Sequence, residues 1–283
     1  MSSRRSFLVK TVSGIAGATT IPFIGNTLDN RIATGNHKVE KLVFQVGIAG
    51  YTFHKFNVEQ SILMMKRVGV SNLSIKDFHL PLDSNQELIG AVLSQFKNAG
   101  IDIYTVGVIY MKSKEEVDKA FNYAKNVGVE MIVGVPTYDL LDYTENKIKE
   151  TNIKVAIHNH GPEDKSYPSP KDAFERIKNR DPRMGLCIDI GHSMRAGMPP
   201  EKAILDFKDR LFDLHIKDVD RAAKDAEAIE LGRGIINIPA VVDSLRKINY
   251  QGICSIEYEK DMSDPLPGIA ESIGFFKGVM KAG

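Results

Sequence analysis

The sequence predicts an α/β protein built as a single (β/α)8 barrel behind a short N-terminal segment. Three observations lead there. From Leu42 onward, short runs rich in Val and Ile alternate eight times with longer stretches of helical spacing. Six of the seven histidines fall at or just after the ends of those apolar runs. The length, 283 residues, suits one barrel of roughly 250 residues plus an extension.

The elements follow in order. LVFQVGIAG reads as the first strand, followed by a helix near 58–68. NLSIK leads to a helix near 86–98, DIYTVGVIY to one near 114–126 and MIVGVP to one near 138–150. In the second half, IKVAIHNH leads to a helix near 170–178 and MGLCIDIGH to one near 201–208. LFDLHIKD leads, after a long excursion, to a helix near 239–248, and GICSIEYE to a last one near 268–279. The glycines in KNAGI and KNVGVE suit left-handed helix C-caps. Strand–helix alternation implies parallel pairing with right-handed crossovers. An open sheet with a nucleotide site would carry a Gly-rich turn after its first strand. That strand ends GIAGYTF here, so closure is favoured. The expected organisation is a leader and linker over 1–39 and a TIM barrel over 40–283.

Composition narrows the function classes. Apolar residues make up 43% and charged residues 26%, with a formal charge of +1. No electrostatic reason exists to expect nucleic acid or an anionic membrane as partner. A small-molecule substrate is the expected partner, and a homo-oligomer is compatible with the sequence. Cys187 and Cys254 both lie in apolar runs and read as buried thiols.

Chemistry enters through the strand ends. His54, His79, His158, His160, His192 and His215 all sit near the C-terminal ends of expected strands, and none is expected on a helix. In a TIM barrel those ends converge on the face that carries active sites. Alternation along each strand sorts the faces. Asp189 shares a face with Cys187, and Ser255, Glu257 and Glu259 share another. His158 and His160 turn inward together, as do Asp213, His215 and Lys217. Converging imidazoles and carboxylates, with no thiolate in the set, form a site for a divalent ion such as Mn, Zn, Co or Mg. An Asp at the head of Asp189-Ile-Gly-His also suits the N-cap of a following helix.

The N-terminal segment carries Arg4, Arg5, Phe7, Leu8 and Lys10 before a short apolar stretch. It resembles a twin-arginine export signal, with one extra residue before the lysine. The apolar stretch is too short for a membrane span of ~20 residues. The resemblance implies a periplasmic protein without a stable membrane anchor.

From 42 to 281 the chain resembles the xylose-isomerase-like TIM-barrel superfamily, often called sugar phosphate isomerases/epimerases. The motifs AIHNHG, CIDIGH, HIKD and SIEYE carry the resemblance, in order, at the ends of strands five to eight. The resemblance implies a divalent metal held by His158, Asp189, His215 and Glu257. His160 and His192 would then lie beside the ligands or against the substrate. One departure matters. In the ketose 3-epimerase branch a glutamate ends strand five, and here His158 stands in its place. A metal-bound imidazole has no free lone pair, so a two-glutamate epimerisation is not expected.

The expected chemistry is metal-assisted proton abstraction next to the carbonyl of a sugar or keto-sugar. Candidate bases are Glu257, Lys217 and His192, in that order. Glu230 lies on the long loop after strand seven and is placed to meet the substrate. Tyr51, Phe53 and His54 after strand one, and Phe78 and His79 after strand two, are candidate walls and polar contacts for a sugar ring. Isomerisation, epimerisation and β-elimination all start from the same enediolate. An exported enzyme favours free sugars, keto-sugars or keto-glycosides over sugar phosphates, so a lyase or dehydratase is the alternative. A non-catalytic sugar-binding protein and an apurinic endonuclease are weaker alternatives. The endonuclease would need a basic groove and more metal ligands.

Overall fold

The computed structural model of the protein describes residues 44–282. The 1–39 segment and its twin-arginine reading lie outside the described residues. Seven barrel strands come first: β1 (Gln45–Ala49), β2 (Asn72–Ile75), β3 (Asp102–Met111), β4 (Met131–Pro136), β5 (Lys154–His158), β6 (Met184–Asp189) and β7 (Leu211–Ile216). A two-stranded antiparallel ribbon follows, β8 (Asp218–Val219) with β9 (Ala228–Ile229). The eighth barrel strand is β10 (Ile253–Ile256). The sheet closes in the order β1-β10-β7-β6-β5-β4-β3-β2. The closing pair is parallel, from Gln45 opposite Ile253 to Ile48 opposite Ile256. Among the described residues, closure leaves the barrel itself no edge strand to template aggregation.

The helices are α1 (Val58–Val68), α2 (Gln86–Asn98), α3 (Lys114–Val127), α4 (Leu141–Thr151), α5 (Pro170–Ile177), α6 (Ile190–Arg195), α7 (Pro200–Asp206), α8 (Ile238–Lys247) and α9 (Leu266–Ala282). Their ends follow from local chemistry. Asn57 and Gln60 form a reciprocal capping box at the start of α1, and Gly69 ends it in the left-handed region at φ 63°. Asn85, Ser113 and Ser169 cap α2, α3 and α5 in the same one-sided way, each accepting a backbone N–H. The clearest boundary differences from the sequence reading are at α4, at α7, which ends at Asp206, and at α9. Residues 138–140 form a 3-10 turn before α4, and α9 starts earlier and ends later than expected.

The sequence reading gave neither the β8–β9 ribbon nor the short helix α6. α6 is only six residues long and opens directly from the end of β6. Periodicity needs a window of 11–18 residues to register, so so short a helix leaves no such trace. His192 lies on it, which corrects the expectation that no histidine is helical.

The helices bury one face each on the outside of the barrel. Phe96, Phe121 and Phe276, from α2, α3 and α9, are among the largest fully buried side chains. Cys187 and Cys254 are buried free thiols. Among the described residues no helix is long and apolar enough to cross a membrane. A phenylalanine truncated inside such a close-packed core typically costs 3–5 kcal/mol. Phe121→Ala, at 1% exposure, is therefore expected to lower unfolding stability by about 3–5 kcal/mol in urea titrations. Leu88→Ala, on the open face of α2 at 45% exposure, should change it by about 0.5 kcal/mol or less. Equal losses for the two would contradict this packing.

Candidate metal centre at the barrel rim

Strand register brings the inward residues together. His158 on β5 lies opposite Cys187 on β6, Asp189 opposite His215 on β7, and His215 opposite Ser255 on β10. Glu257 follows β10 directly, its N–H donating to the Ile216 carbonyl. His158, Asp189, His215 and Glu257 each offer a ligand atom, and these atoms lie within 4.8 Å of one another. All four side chains are buried.

The contacts are close but incomplete. His158 Nε2 lies 3.0 Å from His215 Nδ1 and 3.7 Å from Asp189 Oδ2. His215 Nδ1 lies 3.4 Å from Glu257 Oε1. Asp189 divides its carboxylate: Oδ1 accepts the His192 N–H at 2.7 Å and caps α6. Asp189 Oδ2 and His215 Nε2 have no hydrogen-bond partner among the described residues. A buried polar group left in that state costs ~1–3 kcal/mol. A divalent cation bound by two imidazoles and two carboxylates fits this donor set, since it neutralises the carboxylates and occupies imidazole lone pairs.

A thiol also reaches the cluster, beside a set expected to hold no thiolate. Cys187 forms a second possible ligand group with His158 and His215. Burial, with Asp213 and Asp189 nearby, pushes its thiol well above the ordinary range. A proton held that firmly makes it a poor ligand beside two carboxylates.

Lys217 enters the centre from β7's end. Its ammonium lies 2.7 Å from Glu259, 2.8 Å from Glu257 and 3.2 Å from Asp189 Oδ2. At Asp189 Oδ2 the ammonium supplies charge rather than a hydrogen bond. Burial works against its charge, but the three carboxylates hold its pKa well above that of a free lysine. As an ammonium held by three carboxylates, Lys217 offers no lone pair for the base role expected of it. Burial likewise opposes charge on Glu257, yet Lys217 and His215 hold its carboxyl well below the ordinary range. Glu259 goes the other way: burial, with Glu257 beside it, raises its pKa despite Lys217.

The histidines above the cluster differ in kind. Arg195 donates to His192 Nδ1 at 3.0 Å, which leaves the ring proton on Nε2. Burial, then the nearby Lys217, keeps that ring neutral. His192 is thereby set up as a donor at Nε2. His160 stacks on Tyr110, whose hydroxyl lies 3.0 Å from its Nε2. Tyr110 is 47% exposed at the end of β3. Neither Tyr110 nor Arg195 was singled out from sequence. Tyr110's place as the last aromatic of DIYTVGVIY was the available signal.

The remaining sequence candidates fall elsewhere. Tyr51, His54 and Phe78 form an exposed chain of rings, with centroids 5.5 and 5.8 Å apart. His79 turns inward to Ser61 Oγ at 3.1 Å, and burial pushes its pKa down to about 4. Phe53 is fully buried. Glu230 is also buried, accepting from Tyr258 at 3.0 Å and Lys260 at 2.7 Å. Its loop is pinned by Asp218, whose carboxylate accepts the N–H groups of Val219, Gly232, Gly234 and Ile236.

Below the cluster lies a second polar layer. Tyr104 Oη is 3.2 Å from both Asp213 oxygens and 2.6 Å from Ser255 Oγ. A cavity at the opposite end of the barrel is lined by Tyr104, Glu130, Lys154 and Tyr250, among N-terminal strand ends. Active sites of this fold occupy the other face.

Residues 107–279 match the protein family described as xylose isomerase-like TIM barrel. An uncharacterized Methanocaldococcus jannaschii protein, MJ1311, is 33% identical over 104 residues, 35% of this chain. The match spans only 33% of that relative's length. A solved structure from Parabacteroides distasonis, of a putative uncharacterized protein, is 29% identical with a TM-score of 0.66, over 83% of this chain and 98% of that one. The 3-keto-D-glucoside 4-epimerase YcjR from E. coli has the same fold at 18% identity and TM-score 0.68, over 83% and 99% of the two chains. The IOLI protein, solved with a zinc atom, superposes at TM-score 0.70 and 16% identity, over 84% and 98%.

Burial pushes the Asp213 carboxyl up to about 6. In an unfolded chain it would titrate near ~3.9. The folded protein therefore keeps this proton where the unfolded chain has lost it. That contribution to stability is complete below ~3.9 and is lost as pH rises through about 6. The loss amounts to about 3 kcal/mol at ~1.36 kcal/mol per unit. Asp213→Asn has no such titration. Its melting temperature relative to the parent, in chelator, is expected to climb between pH 4 and pH 7. A constant difference would contradict the buried acid.

Proposed function

This chain belongs to the xylose isomerase-like TIM-barrel family, and from that premise we propose that it is a divalent-metal-dependent enzyme of sugar isomerisation or epimerisation. The reaction is proton abstraction next to the carbonyl of a sugar or keto-sugar. One observation carries the reading: His158, Asp189, His215 and Glu257 converge at the rim, and Asp189 Oδ2 and His215 Nε2 lack hydrogen-bond partners among the described residues. A divalent ion held by those four would polarise the carbonyl and offset the charge of an enediolate.

The other side chains divide the remaining work. Glu257 stays ionised beside Lys217 and His215, which suits a ligand. Glu259, on the same face and partly open to the mouth, has its pKa pushed the opposite way. Glu259 is also the more open of the two carboxylates, which suits it to meet a substrate carbon while Glu257 stays buried. Glu259 therefore takes up and returns the carbon-bound proton. Glu259 was not among the bases read from sequence, which were Glu257, Lys217 and His192. Lys217 supplies fixed positive charge, and His192 donates from Nε2 to a substrate oxygen. Tyr110 and His160 line the mouth and meet the sugar's hydroxyls.

A lyase acting on a keto-glycoside is the second reading. The His192 N–H, donating at Nε2, offers a hydrogen bond to a leaving group. The fold shared with a 3-keto-D-glucoside epimerase supports that substrate class. We further propose that the 1–39 segment directs export, which would favour free sugars and keto-glycosides over phosphorylated ones.

Proton NMR in D2O tests the chemistry. One carbon-bound proton of a ketose, an inosose or a 3-keto-glycoside is expected to exchange, and chelation should stop it. Glu259→Gln should slow that exchange by roughly 10²–10⁴-fold while metal content holds. No exchange with any of the three substrate classes contradicts the reading. For export, replacing Arg4 and Arg5 together by Lys should shift the protein from the periplasmic to the cytoplasmic fraction of a bacterial host. An unchanged distribution contradicts the signal.

A further inference from the structure

Lys217 is an unusual residue to find inside a metal centre. Its ammonium sits among three carboxylates, Asp189, Glu257 and Glu259, at 3.2, 2.8 and 2.7 Å. Two of those carboxylates belong to the proposed ligand set. The side chain is 3% exposed, so water contributes little to its solvation. Such a three-carboxylate nest around one point is what a second hard cation would use.

The stem of the lysine has a seat of its own. Gly191, in the first turn of α6, lies against it. A β-carbon on Gly191 would stand 2.9 Å from Lys217 Cδ, 3.0 Å from Cγ and 3.2 Å from Cβ. The missing side chain therefore leaves a channel for the methylenes, and the ammonium is delivered to one place. Asp189 helps build that channel, since its Oδ1 caps the helix on which Gly191 lies.

Charge balance gives the arrangement its meaning. Three carboxylates carry three negative charges. One divalent ion and one ammonium cancel them. A second divalent ion alongside the Lys217 ammonium would leave two excess positive charges in a buried site, which is costly. Lys217 also blocks such an ion physically, because its Nζ already stands between the same oxygens.

We propose that Lys217 is a built-in cation that takes the position of a second divalent ion and holds the centre to a single metal. The inference rests on the metal reading above. It assigns the lysine a positioning and exclusion role apart from any contact with substrate.

Metal stoichiometry tests it. Protein dialysed against Mn²⁺ and analysed for bound metal by mass spectrometry should carry one ion per chain. Lys217→Met, which keeps the stem and removes the charge, should carry two, and electron paramagnetic resonance should show the pair coupled. Lys217→Gln gives the same gain with a polar tip, should the Met variant not fold. Lys217→Arg, still cationic, should stay at one. Folded Met or Gln variants that bind one ion overturn the proposal while leaving the metal reading intact. A wild type that binds two ions with Lys217 in place overturns it without any variant. A wild type that binds none removes the metal reading itself.

Discussion

Asp189 and Glu257 bury two carboxylates at the barrel rim, and everything around them answers to that negative charge. An ionised group out of water is tolerated only when paired and hydrogen-bonded. The chain provides partial answers. α6 gives Asp189 one backbone N–H, Lys217 gives Glu257 an ammonium, and His215 leans on Glu257. Asp189 Oδ2 is still short of a hydrogen bond. A rim that is nearly balanced, with one deficit pointing at two imidazoles, is a place where a cation binds.

The barrel makes this concentration of charge possible. Parallel closure fixes which residues stand side by side, so residues distant in sequence become neighbours across β5, β6, β7 and β10. Sites carried by strands are held by the ladder on both sides. The segment after β7 is held as well. Asp218 gathers N–H groups from residues up to 18 positions away and ties the excursion down. The mouth is therefore shaped by side chains such as Tyr110, His160 and Glu259 on a firm base.

Much of this was legible in the chain. Alternation and helical spacing located all eight barrel strands, and the first two helices have the bounds the spacing predicts. Facing along LCID and SIEYE told which acids turn inward. What escaped notice has physical reasons. α6 is too short to show a period, and its one signal, Asp189, was also legible as a ligand; it caps the helix with one oxygen. His79 sits at a strand end like the others, but its partner Ser61 comes from α1, and strand position says nothing of helix partners. The charge on Lys217 depends on three carboxylates from two other strands. No local pattern announces that, so an ammonium locked in place looked like a base.

The most direct measurement is anomalous X-ray diffraction from crystals grown with Mn²⁺ or Zn²⁺. A single strong peak should lie among His158, Asp189, His215 and Glu257, with nitrogen and oxygen ligands near ~2.0–2.2 Å. A peak elsewhere, or ordered water among those four side chains at saturating metal, would contradict the central claim.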